Sequence, residues 1–450
     1  MKLRGCLLKD LPPFGEQAME FPELPAGAQG AEIHFITGVN GAGKTRFLSV
    51  LEAALGNSSD LDARTKDRAS VGVWGQVDDF DENDPTYRWS NGATLLKTTL
   101  GFNFNKNEPD FSAFREHQIG DEVVDSQLII NPTTGRRIHK LDFSIIEGVF
   151  ALSFRGSLKI TNSSIQAQAP VKLGSLTDHL SLNQRPEGES QMIAQALANI
   201  VSMGSQEVMQ EITDGRYGAL LKKVNKVLGD FLKRKTAFFV DSRRERIALK
   251  VLLGSERIDL DHLPDGLRSI IAWLFATIAK LEVAFPDDSD PLEREFIMIL
   301  DEPETHLHPA WQRYVLRIAQ ELFPNAQFIV ATHSPFIISS INRGWIHILN
   351  TCEDDGLVYF GEPQPCSEGD TYMDAVEDVL GIKELYDPET EDLLAQFREL
   401  RQQVLSNGFE GETELRSLMM KIGARSKSLE NMMGRELFQL DKAKQMAAAS

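Results

Sequence analysis

The sequence predicts an α/β protein built around a phosphate-binding loop, and three observations predict it. An apolar run, Ile33 to Thr37, leads into Gly38-Val39-Asn40-Gly41-Ala42-Gly43-Lys44-Thr45 and then into a helical pattern from Arg46 to Leu55. A second largely apolar run, Glu295 to Leu300, ends in Asp301-Glu302, and a third, Gln327 to Ala331, ends in Thr332-His333-Ser334. Runs of this kind mark parallel strands buried on both faces. Their polar ends then fall at the carboxyl edge of a sheet, where α/β ligand sites form.

The glycine-rich loop has the strand before it and the helix after it that phosphate binding requires. Gly38, Gly41 and Gly43 allow positive φ, which turns backbone N–H groups inward. With Asn40, Ala42 and Arg46 they frame a cradle at the positive end of a helix. Lys44 is placed to meet the β- and γ-phosphates of a nucleoside triphosphate, and Thr45 to hold Mg²⁺. The plain alternative is a glycine-rich turn with a surface lysine.

Composition sets outer bounds. The chain has 450 residues, room for one large core or two to three domains. Its net charge of −19 argues against whole-molecule attraction to nucleic acid or an anionic membrane, so DNA contact needs a local basic patch. Cys6, Cys352 and Cys366 follow no metal or disulfide spacing. With no signal peptide read, free thiols and a cytoplasmic location are expected. The longest apolar region, Ile270 to Phe285, is interrupted by Lys280 and Glu282 and reads as a buried helix, not a membrane span.

Taken in order, residues 1–9 and 18–21 read as strands on either side of a turn at Leu11-Pro12-Pro13-Phe14-Gly15. After the loop and its helix, residues 56–160 read as an inserted antiparallel layer. Its β-like runs are Ser70 to Trp74, Ala93 to Leu100, Leu128 to Asn131 and Ile138 to Phe143, and the acidic run Asp78 to Asp84 is a solvated loop. Residues 161–235 read as a helical insert, with helices at Ser190 to Ile200, Glu207 to Ile212 and Tyr217 to Arg234. The last carries an apolar stripe and a basic face of Lys222, Lys223, Lys226 and Lys233, followed by Arg243 and Arg244. A solvated face and a nucleic-acid patch are both open readings of these charges. Strands follow at 237–240, 247–253 and 257–260, and later at 345–350 and 357–360. Residues 366–450 are helical, with three amphipathic stripes that need burial against one another or against a second subunit.

Asp301 is placed to hold Mg²⁺ through a water, and Glu302 to act as general base for the attacking water. His333, one strand on, can sense the γ-phosphate. A capping carboxylate and a structural histidine are the plain alternatives. Together, the glycine loop, Leu300-Asp301-Glu302-Pro303 and Thr332-His333-Ser334 resemble the Walker A, Walker B and switch histidine of ABC-type ATPases. The likeness is closer to the SMC, RecF and OLD group, whose Walker B regions often read like Asp301-Glu302-Pro303-Glu304-Thr305-His306-Leu307-His308-Pro309. It covers residues 1–55 and 235–350, within an expected ATPase head of residues 1–55 and 235–365.

That resemblance implies a sandwich in which the signature loop of one head meets ATP bound by another. The matching stretch is Leu263-Pro264-Asp265-Gly266, with Arg268 or Ser269 as a further donor, although Pro264 stands where the common pattern has serine. Ser153-Phe154-Arg155 is the candidate glutamine-loop region. With no long coiled-coil arm and no Toprim nuclease, the chain is similar to ATPase subunits of bacterial anti-phage systems such as PtuA of Septu or AriA of PARIS. The resemblance implies ATP hydrolysis, homodimers or higher homo-oligomers, and a separate nuclease or toxin as effector. A DNA-binding repair or recombination ATPase and a nucleotide-locked scaffold are the alternatives.

Overall fold

A computed structural model describes residues 2–9, 11–24, 30–54, 70–76, 98–103, 118–119, 122–123, 151–155, 186–212, 215–243, 246–285, 288–367, 369, 371–382 and 385–449. Two units divide the chain, Met1–Ala375 and Val376–Ser450.

The first unit opens with β1 (Lys2–Lys9) and β2 (Gln17–Glu20), then β3 (Glu32–Gly38), α1 (Lys44–Ala54), β4 (Ser70–Gln76) and β5 (Thr98–Asn103). Two short strands, β6 (Gln118–Ile119) and β7 (Glu122–Val123), pair with each other. Next come β8 (Ala151–Arg155), α2 (Pro186–Met209), α3 (Arg216–Leu232), β9 (Thr236–Arg243), β10 (Arg246–Leu253), β11 (Glu256–Asp259) and α4 (Asp265–Ala284). The unit ends with β12 (Ile297–Asp301), α5 (Pro309–Leu322), β13 (Gln327–Ala331), α6 (Pro335–Ile338), β14 (Trp345–Thr351), β15 (Val358–Phe360), β16 (Gln364–Pro365) and α7 (Tyr372–Asp374).

The main sheet runs β15-β14-β3-β13-β12-β8. From β14 to β8 all its pairings are parallel, while β15 and β16 close one edge antiparallel to β14. Every residue of β3, β12 and β13 is buried, as expected for strands covered on both faces. Register sets Asp301 beside Ala331, and Ala331 beside Ile36. The three loops that leave β3, β13 and β12 therefore emerge side by side at one edge.

The antiparallel layer differs from a simple insert. Its order is β2-β1-β4-β5, so residues ahead of the phosphate loop supply the inner strand β1 on which β4 pairs. Helix α1 lies between the two sheets, with Phe47, Leu48, Val50 and Leu51 in one core with Leu3, Leu8, Val73, Ile299 and Ile329. A three-stranded meander, β11-β10-β9, leads into α4. This helix is buried on nearly all sides from Ile270 to Leu281, which explains its unbroken apolar sequence.

Two separate helices were expected at 190–200 and 207–212; α2 runs unbroken through the first and into the second, ending at Met209. Gly204 lies inside it without breaking it because α3 packs there: a Cβ would sit 2.5 Å from Leu221 Cδ1 and 2.8 Å from the Tyr217 carbonyl. Close packing thus overrides the helix cost of glycine, about 1 kcal/mol. The strands expected at 128–131 and 138–143 and the acidic run lie outside the described residues. Among the described residues no helix is long and apolar enough to cross a membrane.

The second unit holds α8 (Pro388–Ser406), α9 (Glu412–Gly423) and α10 (Lys427–Ala449). Asp387 caps α8, its carboxylate accepting from the Thr390 N–H. The three stripes bury against one another: Leu393, Phe397, Val404, Leu415, Met419, Ile422, Leu429, Met433 and Leu440 form one core. Of the two readings open for this tail, mutual packing accounts for these stripes.

Candidate functional site

Backbone builds one wall of the site. Gly38, Gly41 and Gly43 all adopt positive φ, at 144°, 86° and 91°. Side chains would also collide at two of these positions: a Cβ on Gly38 would stand 2.6 Å from the Leu349 carbonyl, and one on Gly43 3.1 Å from both Phe14 Cζ and Pro13 Cγ. Gly41 has open space, so it serves the turn alone. The Leu11-Gly15 turn thus buttresses the loop, a role that its sequence does not announce. Phe14 also packs on Phe47 and Phe360, with ring centroids 6.1 and 6.4 Å away.

Lys44 is buried and donates to the carbonyls of Gly38, at 2.9 Å, and Val39, at 3.1 Å. Burial lowers its pKa, while Glu302 and Asp301 act against that shift. Thr45 lies in the first turn of α1, and its hydroxyl donates to Asp301 Oδ1 at 3.2 Å. Side chains 256 positions apart are so joined at one point.

Glu302 is exposed and holds φ of 49°, a left-handed conformation uncommon for a residue with a side chain. Its N–H donates to the Ala331 carbonyl at 2.9 Å, which carries the β12–β13 pairing one residue beyond the strand. Thr305 fixes the turn from the other side, its hydroxyl donating to the Glu302 carbonyl at 2.8 Å. Such a conformation costs of order 1–3 kcal/mol and persists where the surroundings over-determine it. His333 is half-buried, and its pKa is lowered by burial and by the Lys44 charge, against an opposing effect of Glu302. Its imidazole therefore lies within electrostatic reach of both residues.

Asp301 and Thr45 could hold a hard divalent cation between them. Among the described residues no group of three or more His, Cys, Asp or Glu forms a metal cage. One hydroxyl and one carboxylate instead suit Mg²⁺, which keeps waters and takes its other ligands from phosphate.

The remaining sequence candidates lie elsewhere. Pro264 caps α4, and Asp265 and Gly266 form its first turn. Gly266 faces the Walker B loop of its own chain, where a Cβ would stand 2.8 Å from Leu307 Cδ2. Arg268 is engaged locally, donating to the Asp261 carbonyl at 3.2 Å and to Asp265, and Ser269 is buried. Neither is thus held as an open donor. Ser153, Phe154 and Arg155 lie in β8, in register with Ile299, Leu300 and Asp301.

The basic face divides. Lys223 is paired with Glu293 at 2.7 Å, while Lys222 is exposed. Lys226 and Lys233, with Arg234, Lys235 and Asp230, line a concave surface of about 520 Å³. Arg243 ends β9, and Arg244 lies outside the described residues. Sequence reading missed Glu304 and Gln312, which hold the loop around His333. It also missed a buried pair beneath the site, His34 on β3 and His347 on β14, 3.2 Å apart. Their signal was faint: polar residues inside apolar strands.

Parallel strand order and adjoining loops define the class, an α/β fold with a glycine-rich loop at the carboxyl edge of its parallel sheet. Within it, residues 224–339 match the family model described as AAA domain, putative AbiEii toxin, Type IV TA system. That match takes in the signature-like loop, Asp301-Glu302 and His333, but not the glycine loop. The chain is 31% identical over 109 residues, 24% of its length and 21% of the relative's, to the retron Vc95 probable ATPase of Vibrio cholerae serotype O1 biovar El Tor. It is 27% identical over 163 residues, 35% of its length and 41% of the relative's, to the Septu protein PtuA of Bacillus thuringiensis. The chain thus spans about a fifth to two fifths of these curated relatives. A solved SMC head bound to the C-winged helix domain of ScpA is 13% identical, with a TM-score of 0.43, over 81% of this chain and 98% of that one.

Proposed function

We propose that the chain binds and hydrolyses ATP, pairs with a second copy around the nucleotide, and regulates a separate effector, a nuclease or toxin, in anti-phage defence. The observation that carries the nucleotide part is the meeting of Thr45 and Asp301 at 3.2 Å beside the buried Lys44 ammonium. The retron and Septu names of its relatives support the defence setting.

Each residue then has a task. Loop N–H groups receive the phosphates, and Lys44 exchanges its carbonyl partners for them. Thr45 and Asp301 would hold Mg²⁺, which when bound would supply positive charge to the phosphates. Glu302 accepts the proton of the attacking water. His333, held neutral by burial, orients that water by a hydrogen bond. The α4 N-terminus offers backbone N–H groups to a second copy's nucleotide.

Phosphate release with Mg²⁺ and light scattering with ATP test this reading, using Glu302→Gln to trap the bound state. Turnover by the wild type and an ATP-dependent doubling of mass in the variant are expected. No turnover with or without a co-expressed neighbour-encoded protein would sink the hydrolytic part, and an unchanged mass the pairing.

A second reading, DNA binding, is favoured by the concave surface at Lys226, Lys233, Arg234 and Lys235. These four make no ion pair among the described residues. Reversing Lys226 and Lys233 to Glu should weaken DNA binding and flatten its salt dependence. Unchanged slopes would leave the patch a solvated face.

A further inference from the structure

The Walker B loop and the loop carrying His333 are joined by one carboxylate. Glu304 Oε1 accepts from the Thr332 hydroxyl at 2.5 Å and from the His333 N–H at 3.1 Å. Thr332 Oγ1 in turn accepts from the Ser334 N–H at 3.0 Å. The Ser334 hydroxyl donates to Gln312 Oε1 at 2.6 Å, and the Gln312 amide donates to the Leu307 carbonyl at 3.0 Å. A closed ring of bonds therefore runs from the residues after Glu302 through the switch loop and back. Thr332 is also fixed to the phosphate-loop strand, its N–H donating to the Ile36 carbonyl at 3.2 Å.

Glu304 is costly where it stands. Its other oxygen, Oε2, is buried with no protein partner among the described residues. Burial pushes its pKa up, against the bonds from Thr332 and His333. A half-satisfied buried carboxyl is poor glue, since stability alone favours an apolar or fully paired residue. What the position does require is one acceptor oxygen able to take two donors from the switch loop.

Resting on the ATPase reading above, we infer that Glu304 is a positioning residue: it sets the His333 imidazole against the Glu302 turn, so that the two loops move as one unit. Lys44 and Glu302 both act on His333, so a shift of this loop alters the geometry at the reacting end of the site. Misplacement of about 1 Å can cost roughly a hundredfold in rate.

Full-length Glu304→Ala, Glu304→Gln and Thr332→Val test this. Glu304→Ala is expected to lower kcat about tenfold or more, with KM within about twofold of the wild type. Glu304→Gln keeps a carbonyl for both donors and should recover kcat to within about threefold. Glu304→Ala and Thr332→Val break the same link, so their combination should cost little more than either alone. The His333 imidazole resonance, identified by its loss in His333→Asn, provides a readout without nucleotide. It should move in Glu304→Ala and stay in Glu304→Gln. Unchanged kcat in Glu304→Ala, equal losses in the Ala and Gln variants, or an unmoved imidazole signal would overturn the inference. A wild type without turnover would instead defeat the ATPase reading, and the imidazole signal would still decide the positioning.

Discussion

The two walls of the site are made differently. The phosphate loop is built from backbone, and glycines and steric fit fix its shape: Gly38 meets Leu349, and Gly43 meets Phe14 and Pro13. The opposite wall, Glu302 to His308 with Thr332 to Ser334, is built from side-chain hydrogen bonds around Glu304 and Gln312. A wall of backbone tolerates little added bulk where it is packed, as at Gly38 and Gly43. A wall of side chains can lose one bond and keep its outline, at a cost read in rate more than in folding. On the proposed ATPase reading, the first wall would hold the phosphates and the second the residues that act on them.

This contrast can be broken at either wall. Lys44→Ala should have the largest effect, removing the buried cation bonded to the loop carbonyls; calorimetry should find ATP affinity down by about a hundredfold or more, and turnover should vanish. Glu302→Gln comes next, with kcat down about a hundredfold and ATP affinity unchanged, since general-base catalysis contributes roughly 10²–10⁴-fold. Equal losses in binding and rate would show that the second wall also holds the nucleotide. Gly38→Ala should cost about 3 kcal/mol of stability, because strain and collision act together there. Gly41→Ala should cost about 1 kcal/mol, having strain alone. Equal urea midpoints for these two variants would refute the steric account.

The effect farthest from the reacting groups is on pH dependence, beneath the loop. His34 is fully buried, and its pKa is lowered to about 3, by burial first and by Arg4 second. His347 is lowered as well, by burial and by His34. The Gln327 amide meets His34 Nε2 at 3.3 Å, which leaves His34 Nδ1–H to donate to His347. Both rings are therefore neutral in the fold, whereas the unfolded chain takes up protons below about pH 6.5. Stability from this pair is complete above that value and lost as the pH falls toward 3. Between pH 6.5 and 4.5, His34 alone should cost about 2–3 kcal/mol. Urea midpoints that stay flat from pH 7 to 4.5 would contradict the neutral pair.

Much of the first wall was legible in the sequence. Positive φ demands glycine, and a loop between an apolar strand and a helix is a local pattern. Asp301 and Glu302 were legible for a related reason: charge after a buried strand falls at the sheet edge. Glu304 was not, because its partners Thr332 and His333 lie 28 and 29 positions away and nothing in its own neighbourhood reports them. Arg268 shows the opposite failure. A cation near a helix start looked available for a partner's phosphate, while its own turn engages it.

By itself, then, the sequence determined the strands β3, β12 and β13, the helix α1, the glycine cradle and the order of the three loops, all of which follow from spacing within a few residues. The tertiary structure alone decided what those loops do to one another. It placed the Thr45 hydroxyl on Asp301, set Phe14 under Gly43, and tied His333 to Glu304. The reason is physical: backbone conformation is settled by neighbours in the chain, whereas hydrogen bonds between loops depend on strand register, and register is fixed only when the whole sheet closes.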